Sequence, residues 1–229
     1  VTNATLGTSV VGGVPVGAVM PFASVTVPTG FVICNGAEYS RTTYANLFSF
    51  LSFTDATCDT NSNTTVTMDS TALIGAGFGV SGTGIPAGTT VASVTNSTTF
   101  VLSQAATATA SNVTLTFTRW GVGTSDSNFR VPDFRGEFLR GHDGGRGADP
   151  DAASRTGGDL VGSSQTNQIQ SHGHNIRGGG GDIPDWFGGS NAAYGMLTGG
   201  GILYSGYVQN TGGNETRPRN LAVQYCIKF

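Results

Sequence analysis

"PVGAVMPFASVTVPTGFVICNGAEYSRTTYANLFSFL", residues 15–51, is the stretch that decides the fold. Its first part breaks into short apolar pieces at Pro15, Pro21, Pro28 and Gly30. Breaks at that interval predict short strands. Its last part changes period. Tyr44, Leu47, Phe48 and Leu51 recur at the i, i+3, i+4, i+7 spacing of one helical face. A short helix is expected here, with Ser40 as its N-cap and Thr42 as the competitor. No other segment predicts a helix.

The rest of the chain agrees with a mainly β fold. Charged residues are 11% of the 229, less than half the usual share of about 25%, so disorder driven by charge repulsion is not expected. Glycine, at 36 residues, is about twice its normal share of roughly 7%, which favours turns over helices. Net charge is −3 and Lys228 is the only lysine, so no basic footprint for nucleic acid exists. No apolar run is long enough for a bilayer-spanning helix. The start, "VTNATLGTSV", lacks the basic and apolar regions of a signal peptide. Three widely spaced cysteines, Cys34, Cys58 and Cys226, favour buried free thiols over a bridge.

Residues 55–118 stand apart. They hold no Lys or Arg and only three acids, Asp55, Asp59 and Asp69. Runs such as "TTVTM", "TTVASVT" and "NVTLTF" alternate Thr or Ser with apolar residues, the period of half-buried strands. Pro86 and Gly88 are placed to make a turn. An inserted small β module is expected. After it, "FRVPDFRGEFLRGHDGGRG" sets Arg130, Asp133, Arg135, Glu137, Arg140 and Asp143 at short steps, which predicts a ladder of ion pairs. From Gly141 to Gly213, 21 of 73 residues are glycine. Such a stretch buries too little apolar surface alone to offset an ordering entropy of about 1–2 kcal/mol per residue, so either it is disordered or neighbouring chains supply its core. "RPRNLAVQYCIKF" then reads as a closing strand.

Enzyme motifs are wanting. "GFGVSG", residues 77–82, has the G-x-G-x-x-G spacing, but "TGIPAGTT" follows and cannot open the helix a dinucleotide site needs; a glycine-rich turn is expected instead. Neither G-x-S-x-G nor H-E-x-x-H occurs. His142 and the adjacent Asp143 read as a hydrogen-bonded surface pair in preference to a metal or acid–base site. "SHGH" is more pointed. On a strand, His172 and His174 face one side. Two imidazoles are too few for a site, and no acid or thiol stands near in sequence. Three parallel copies about a threefold axis would give six nitrogens to one ion and would also supply the missing core. Octahedral nitrogen ligation is unusual for zinc, which places iron first and zinc second.

Three phrases carry a family resemblance. "PVGAVMPFASVTVPTGFVICNGAEYSRTTYANLF" resembles the start of the phage tail collar domain, and "NFRVPDFRGEFLRGHDGGRG" resembles its second half. "HGH" before a glycine-rich stretch, with the closing "RPRNLAVQYCIKF", resembles the C-terminal tips of bacteriophage tail fibres. Residues 55–118 interrupt that pattern. The resemblance implies a collar of short strands with one short helix, the inserted β module, and an intertwined trimeric tip. The expected divisions are 1–14 as shaft end or linker, 15–54 and 119–155 as the collar halves, 55–118 as the module and 156–229 as the tip with its closing strand.

The implied function is that of a homotrimeric adhesin on the distal tail fibre of a virion. It would bind a polysaccharide or outer-membrane protein of the host and join other tail proteins at its N-terminal side. One divalent transition metal ion per trimer would be held by His172 and His174, and no enzyme activity is expected. Trp186 and Tyr194 are the expected receptor contacts, since aromatic rings on glycine-rich turns stack on sugars. The alternatives are a metal-dependent depolymerase of host polysaccharide and a purely structural collar or baseplate component.

Overall fold

The structure is a computed structural model, and it describes residues 10–11, 13–168, 171 and 218–229. The chain divides into two compact units, residues 1–165 with 221–229, and residues 166–220. All the described secondary structure lies in the first. It is mainly β, with one α-helix among the described residues, as the short apolar pieces and single helical face predict. That helix is too short to cross a membrane.

A small hairpin, β1 (Val10–Val11) with β2 (Val14–Pro15), leads into the first sheet. This sheet has three antiparallel strands in the order β3 (Val19–Phe22), β13 (Gln224–Lys228), β4 (Phe31–Ile33). The closing segment is thus the central strand, with Cys226 opposite Met20 on one side and Ile33 on the other. Pro21 lies on an edge strand, the place in a sheet that tolerates a residue without an N–H. One face of the sheet buries Val32, Cys34 and Ile227 against Leu47 and Leu51 of α1 (Ala45–Leu51), with Phe129 and Val131. Phe129 belongs to β12 (Asn128–Arg130), which pairs with β5 (Glu38–Ser40), so segments from both sides of residues 52–118 share one core.

The helix starts later than its expected cap. Ser40 is the last residue of β5, opposite Asn128, and α1 begins at Ala45 with Tyr44 at the N-cap and no side-chain cap. The Ser40 hydroxyl instead accepts the Thr43 N–H at 3.3 Å and bonds the Thr42 hydroxyl at 2.9 Å. Ladder pairing at Ser40 outcompetes local capping, and the helix waits one turn. Its inward stripe is as expected, with Leu47 and Leu51 buried.

Residues 52–118 form a six-stranded antiparallel sheet in the order β8 (Gly79–Gly82), β11 (Thr109–Thr118), β6 (Ser52–Asn61), β7 (Thr65–Thr67), β10 (Thr99–Leu102), β9 (Val91–Asn96). The period-two pattern sorts its faces. Val66 is buried between exposed Thr65 and Thr67, and Phe100 and Leu102 are buried while Val101 is not. Phe117 stacks on Phe53 at 5.2 Å and meets Phe100 edge-on at 5.7 Å. The first and last strands are neighbours, with Ser52 opposite Thr118 and the Arg119 N–H donating to the Leu51 carbonyl at 3.4 Å. Arg41 ties the sheet to the helix: its guanidinium lies 4.7 Å over the Phe48 ring and donates to the Ser81 hydroxyl at 3.0 Å. Arg119 lies over both Phe53 and Phe78.

"GFGVSG" is a turn only at its start, where the Phe78 N–H donates to the Gly75 carbonyl at 3.2 Å and Gly77 has a φ of +89°. Gly79–Gly82 is the edge strand β8, and its glycines serve close approach: a Cβ on Gly79 would stand 2.4 Å from the Thr118 hydroxyl and 2.8 Å from the Gly121 carbonyl oxygen. The nucleotide reading stays excluded, because turns follow. One of these is the expected Pro86–Thr89 turn, with Gly88 at a φ of +79°.

The three cysteines are buried and unbridged. Cys34 and Cys226 sit on bonded strands, yet Cys34 belongs to the helix-facing core whereas Cys226 points to the opposite face. Side chains leaving opposite faces of a sheet cannot meet the Cβ geometry of a disulfide. Burial pushes the Cys34 and Cys58 thiols up to about 12, so neither is a nucleophile at neutral pH.

Candidate functional site

The chain leaves the first unit through residues 140–165, the root of the glycine-rich stretch. The expected ladder of ion pairs does not form there. Arg130 reaches back to Glu38 at 2.6 Å, Arg135 pairs with exposed Asp133, and Arg140 stands 3.6 Å from Asp149. Among the described residues no arginine forms an ion pair with Asp143; its carboxylate accepts the backbone N–H groups of Gly147, Ala148 and Asp149 at 2.7, 2.8 and 2.9 Å. Gly144, Gly145 and Gly147 all have positive φ, which turns the backbone around the carboxylate and rules out the strand a ladder requires.

Arg155 organises the next layer. Its guanidinium donates to Asp149 at 3.1 Å, to the Ser163 hydroxyl at 2.8 Å and carbonyl at 3.0 Å, and to the Gln165 side-chain oxygen at 2.7 Å. The Gln165 amide returns to the Asp151 carbonyl at 3.3 Å. Thr156 and Ser164 exchange backbone bonds of 2.9 and 3.1 Å, which close the loop between them. His142 bonds across this loop, not to its sequence neighbour: its Nε2 lies 3.0 Å from the Asp159 carbonyl oxygen and 3.3 Å from that residue's carboxylate. It is a hydrogen-bonded surface histidine, but its partner is Asp159 and not the adjacent Asp143 that its setting in sequence predicts.

The charges follow from these contacts. The Gly147 N–H, then that of Asp149, hold the Asp143 carboxyl below its ordinary range, with Ala148 and Arg140 adding to the effect. Burial pulls the Asp149 carboxyl upward, but the Asp151 N–H, Gln165, Arg140 and Arg155 together outweigh it and leave it lowered. Groups depressed on folding stabilise the fold above their unfolded value, about 3.9 for aspartate, and lose that contribution as pH falls through the lower folded value. The root is therefore expected to hold at pH 6 and to loosen below about pH 4. Hydrogen exchange at the Gly147, Ala148 and Asp149 amides checks this: protection beyond the intrinsic pH effect should be lost in acid, and unchanged protection at pH 2.5 would contradict it.

No buried side-chain nitrogen or oxygen among the described residues lacks a partner. Sequence reading missed Asp149, Arg155, Ser163 and Gln165. Their only signal was an acid and an arginine in a segment otherwise rich in Gly and Ser. The expected metal ligands His172 and His174 and the expected receptor contacts Trp186 and Tyr194 lie outside the described residues. Among the described residues, no three metal-binding side chains stand together. As a donor set, paired imidazoles fit a divalent first-row transition metal.

Comparison with known proteins places this architecture. A stretch of 114 residues is 40% identical to Protein RhiB of Rhizobium leguminosarum bv. viciae and covers 46% of this chain. The chain spans about half the length of that curated relative, 50% of it. Residues 17–54 match the Phage Tail Collar Domain. They take in β3, β4, β5 and α1, the strands and helix around the first core. The similarity to the Phage Tail Collar Domain is thus carried by residues 17–54 of this chain.

Proposed function

We propose that this chain is the tip of a phage tail fibre, a homotrimeric adhesin that binds a receptor on the bacterial surface. The observation that carries the reading is the collar domain at residues 17–54, followed in the same chain by a glycine-rich stretch with a histidine pair. The collar joins the chain to other tail components on its N-terminal side. The glycine-rich stretch within residues 156–229 forms the tip. His172 and His174 from three copies hold one divalent ion, iron in preference to zinc, which binds the assembled trimer and not the single chain. The ion's role is structural, as a staple whose binding free energy adds to the stability of the trimer. Trp186 and Tyr194 contact the receptor, a polysaccharide or outer-membrane protein. The chain cleaves nothing; binding alone is its task.

Light scattering on protein never exposed to nickel resin should return about three times the 23.4 kDa chain mass. Elemental analysis should find about one transition-metal ion per three chains. His172→Ala/His174→Ala should lose the ion and melt at a lower temperature. The purified protein should compete with phage for adsorption to host cells and release no reducing ends from host polysaccharide. A monomer at micromolar concentration, or adsorption indifferent to added protein, would sink the reading. New reducing ends would favour the depolymerase.

A further inference from the structure

Successive residues of β13 point to opposite faces of the collar sheet. Tyr225 and Ile227 face the helix, while Cys226 and Lys228 face the other way, beside Met20, Phe22, Phe31 and Ile33 of the flanking strands. This second face also carries Gln224, whose amide donates to the Cys226 sulfur at 3.7 Å; its other strand positions, Lys228 apart, are apolar and incompletely covered. Phe22 and Phe31 meet edge-to-face at 5.2 Å, Phe22, Phe31 and Ile33 are half-buried, and Met20 is 36% exposed. In its midst lies the chain's only lysine.

Lys228 is 6% exposed. Its ammonium donates to the Gly30 carbonyl at 3.1 Å and lies 5.7 and 5.5 Å from the ring centroids of Phe31 and Phe229. An ammonium carries three donors, and here one has a protein acceptor. Among the described residues no carboxylate pairs with it, whereas Arg130 and Arg155 each reach an acid. A buried cation without a counter-ion is costly, and its usual remedy is an anion brought to it. The face therefore calls for a partner that supplies apolar cover and a carboxylate together. The chain itself offers that chemistry. Acids outnumber Lys and Arg by 14 to 11, and Glu137, in no ion pair among the described residues, stands beside Phe138 and Leu139, exposed by 58% and 48%.

We infer that this second face of the collar sheet is a contact face between copies of the chain, and that a carboxylate of the neighbouring copy completes the Lys228 ammonium. The inference rests on the trimeric reading above. The single lysine makes it open to a sharp test. A zero-length carbodiimide joins an amine to a carboxylate only when the two already touch, so apart from the chain's α-amine every link it forms must pass through Lys228. Full-length protein is assembled from mixed ¹⁵N-labelled and unlabelled chains, sized by light scattering, then linked and digested. The expected result is a trimer whose Lys228-containing linked peptides include mixed-isotope pairs, lost in Lys228→Gln. A trimer with no Lys228 link, or with Lys228 links only of like isotope, overturns this contact and leaves the trimer standing. A monomer overturns both.

Discussion

A chain ended after Val223 is expected to lose the collar fold altogether. The cut removes β13, the strand that both β3 and β4 pair with, and with it the buried Cys226, Ile227 and Lys228. β3 and β4 share no other ladder. Burying one side chain such as Ile227 contributes about 1.5–3 kcal/mol, and the whole stability of a domain is about 5–15 kcal/mol, so losing several together leaves too little to hold the first core. Trp120, which packs half-buried on that core, reports the loss through its fluorescence. Residues 52–118 keep their own core of Phe100, Leu115, Phe117 and neighbours, and their strand circular dichroism should persist. Native-like Trp120 emission in the truncated chain would contradict the central role assigned to this strand.

Gly79→Ala is expected to be the costliest single methyl in the protein's second sheet. The added Cβ meets the Thr118 hydroxyl at 2.4 Å and also the Gly121 carbonyl oxygen and the Val122 Cα, each at 2.8 Å. Two of these three are backbone atoms of the segment that leaves β11, and Thr118 is itself held by a 2.6 Å bond to the Gly121 carbonyl. Nothing flexible can step aside, so β8 must part from β11. Overpacking of this kind costs about 1–3 kcal/mol, and rigid neighbours put this case at the upper end, near 3 kcal/mol. Chemical denaturation measures it. Gly77→Ala is the control: nothing lies within 4 Å of its Cβ position, so only its φ of +89° is penalised. A loss in Gly79→Ala no larger than that in Gly77→Ala would show that close approach does not explain Gly79, whose φ lies outside the left-handed region.

These two results bear on what could be read from the residues alone. Patterns carried by neighbouring residues were legible: the alternation at Thr65, Val66 and Thr67, and the helical stripe at Leu47 and Leu51. Features set by distant partners were not. Ser40 has the chemistry of a cap, but a pairing with Asn128 claims it for a strand. The closing segment reads as a strand from its own residues, while its central place depends on strands some two hundred positions earlier in the chain. Gly79 fits a phosphate loop or a turn by spacing, and only the wall made by Thr118 and Gly121 explains it. His172 and His174 stand out by their two-residue step but lie outside the described residues. The network of Asp143, Asp149 and Arg155 was not legible, because hydrogen bonds between loops have no period.

Ser52 and Thr118 stand opposite each other, with Arg119 bonded back to Leu51. For a gene, that adjacency defines two breakpoints. DNA encoding the intervening strands can be swapped for another stretch whose ends also meet, and the collar's route through space stays the same. The terms of the exchange are set by the few residues that grip the inserted sheet: a newcomer must offer a hydroxyl where Ser81 meets Arg41 and rings where Phe53 and Phe78 lie under Arg119. Recombination between phages would then be expected to leave Arg41 and Arg119 constant while the sequence between Ser52 and Thr118 diverges.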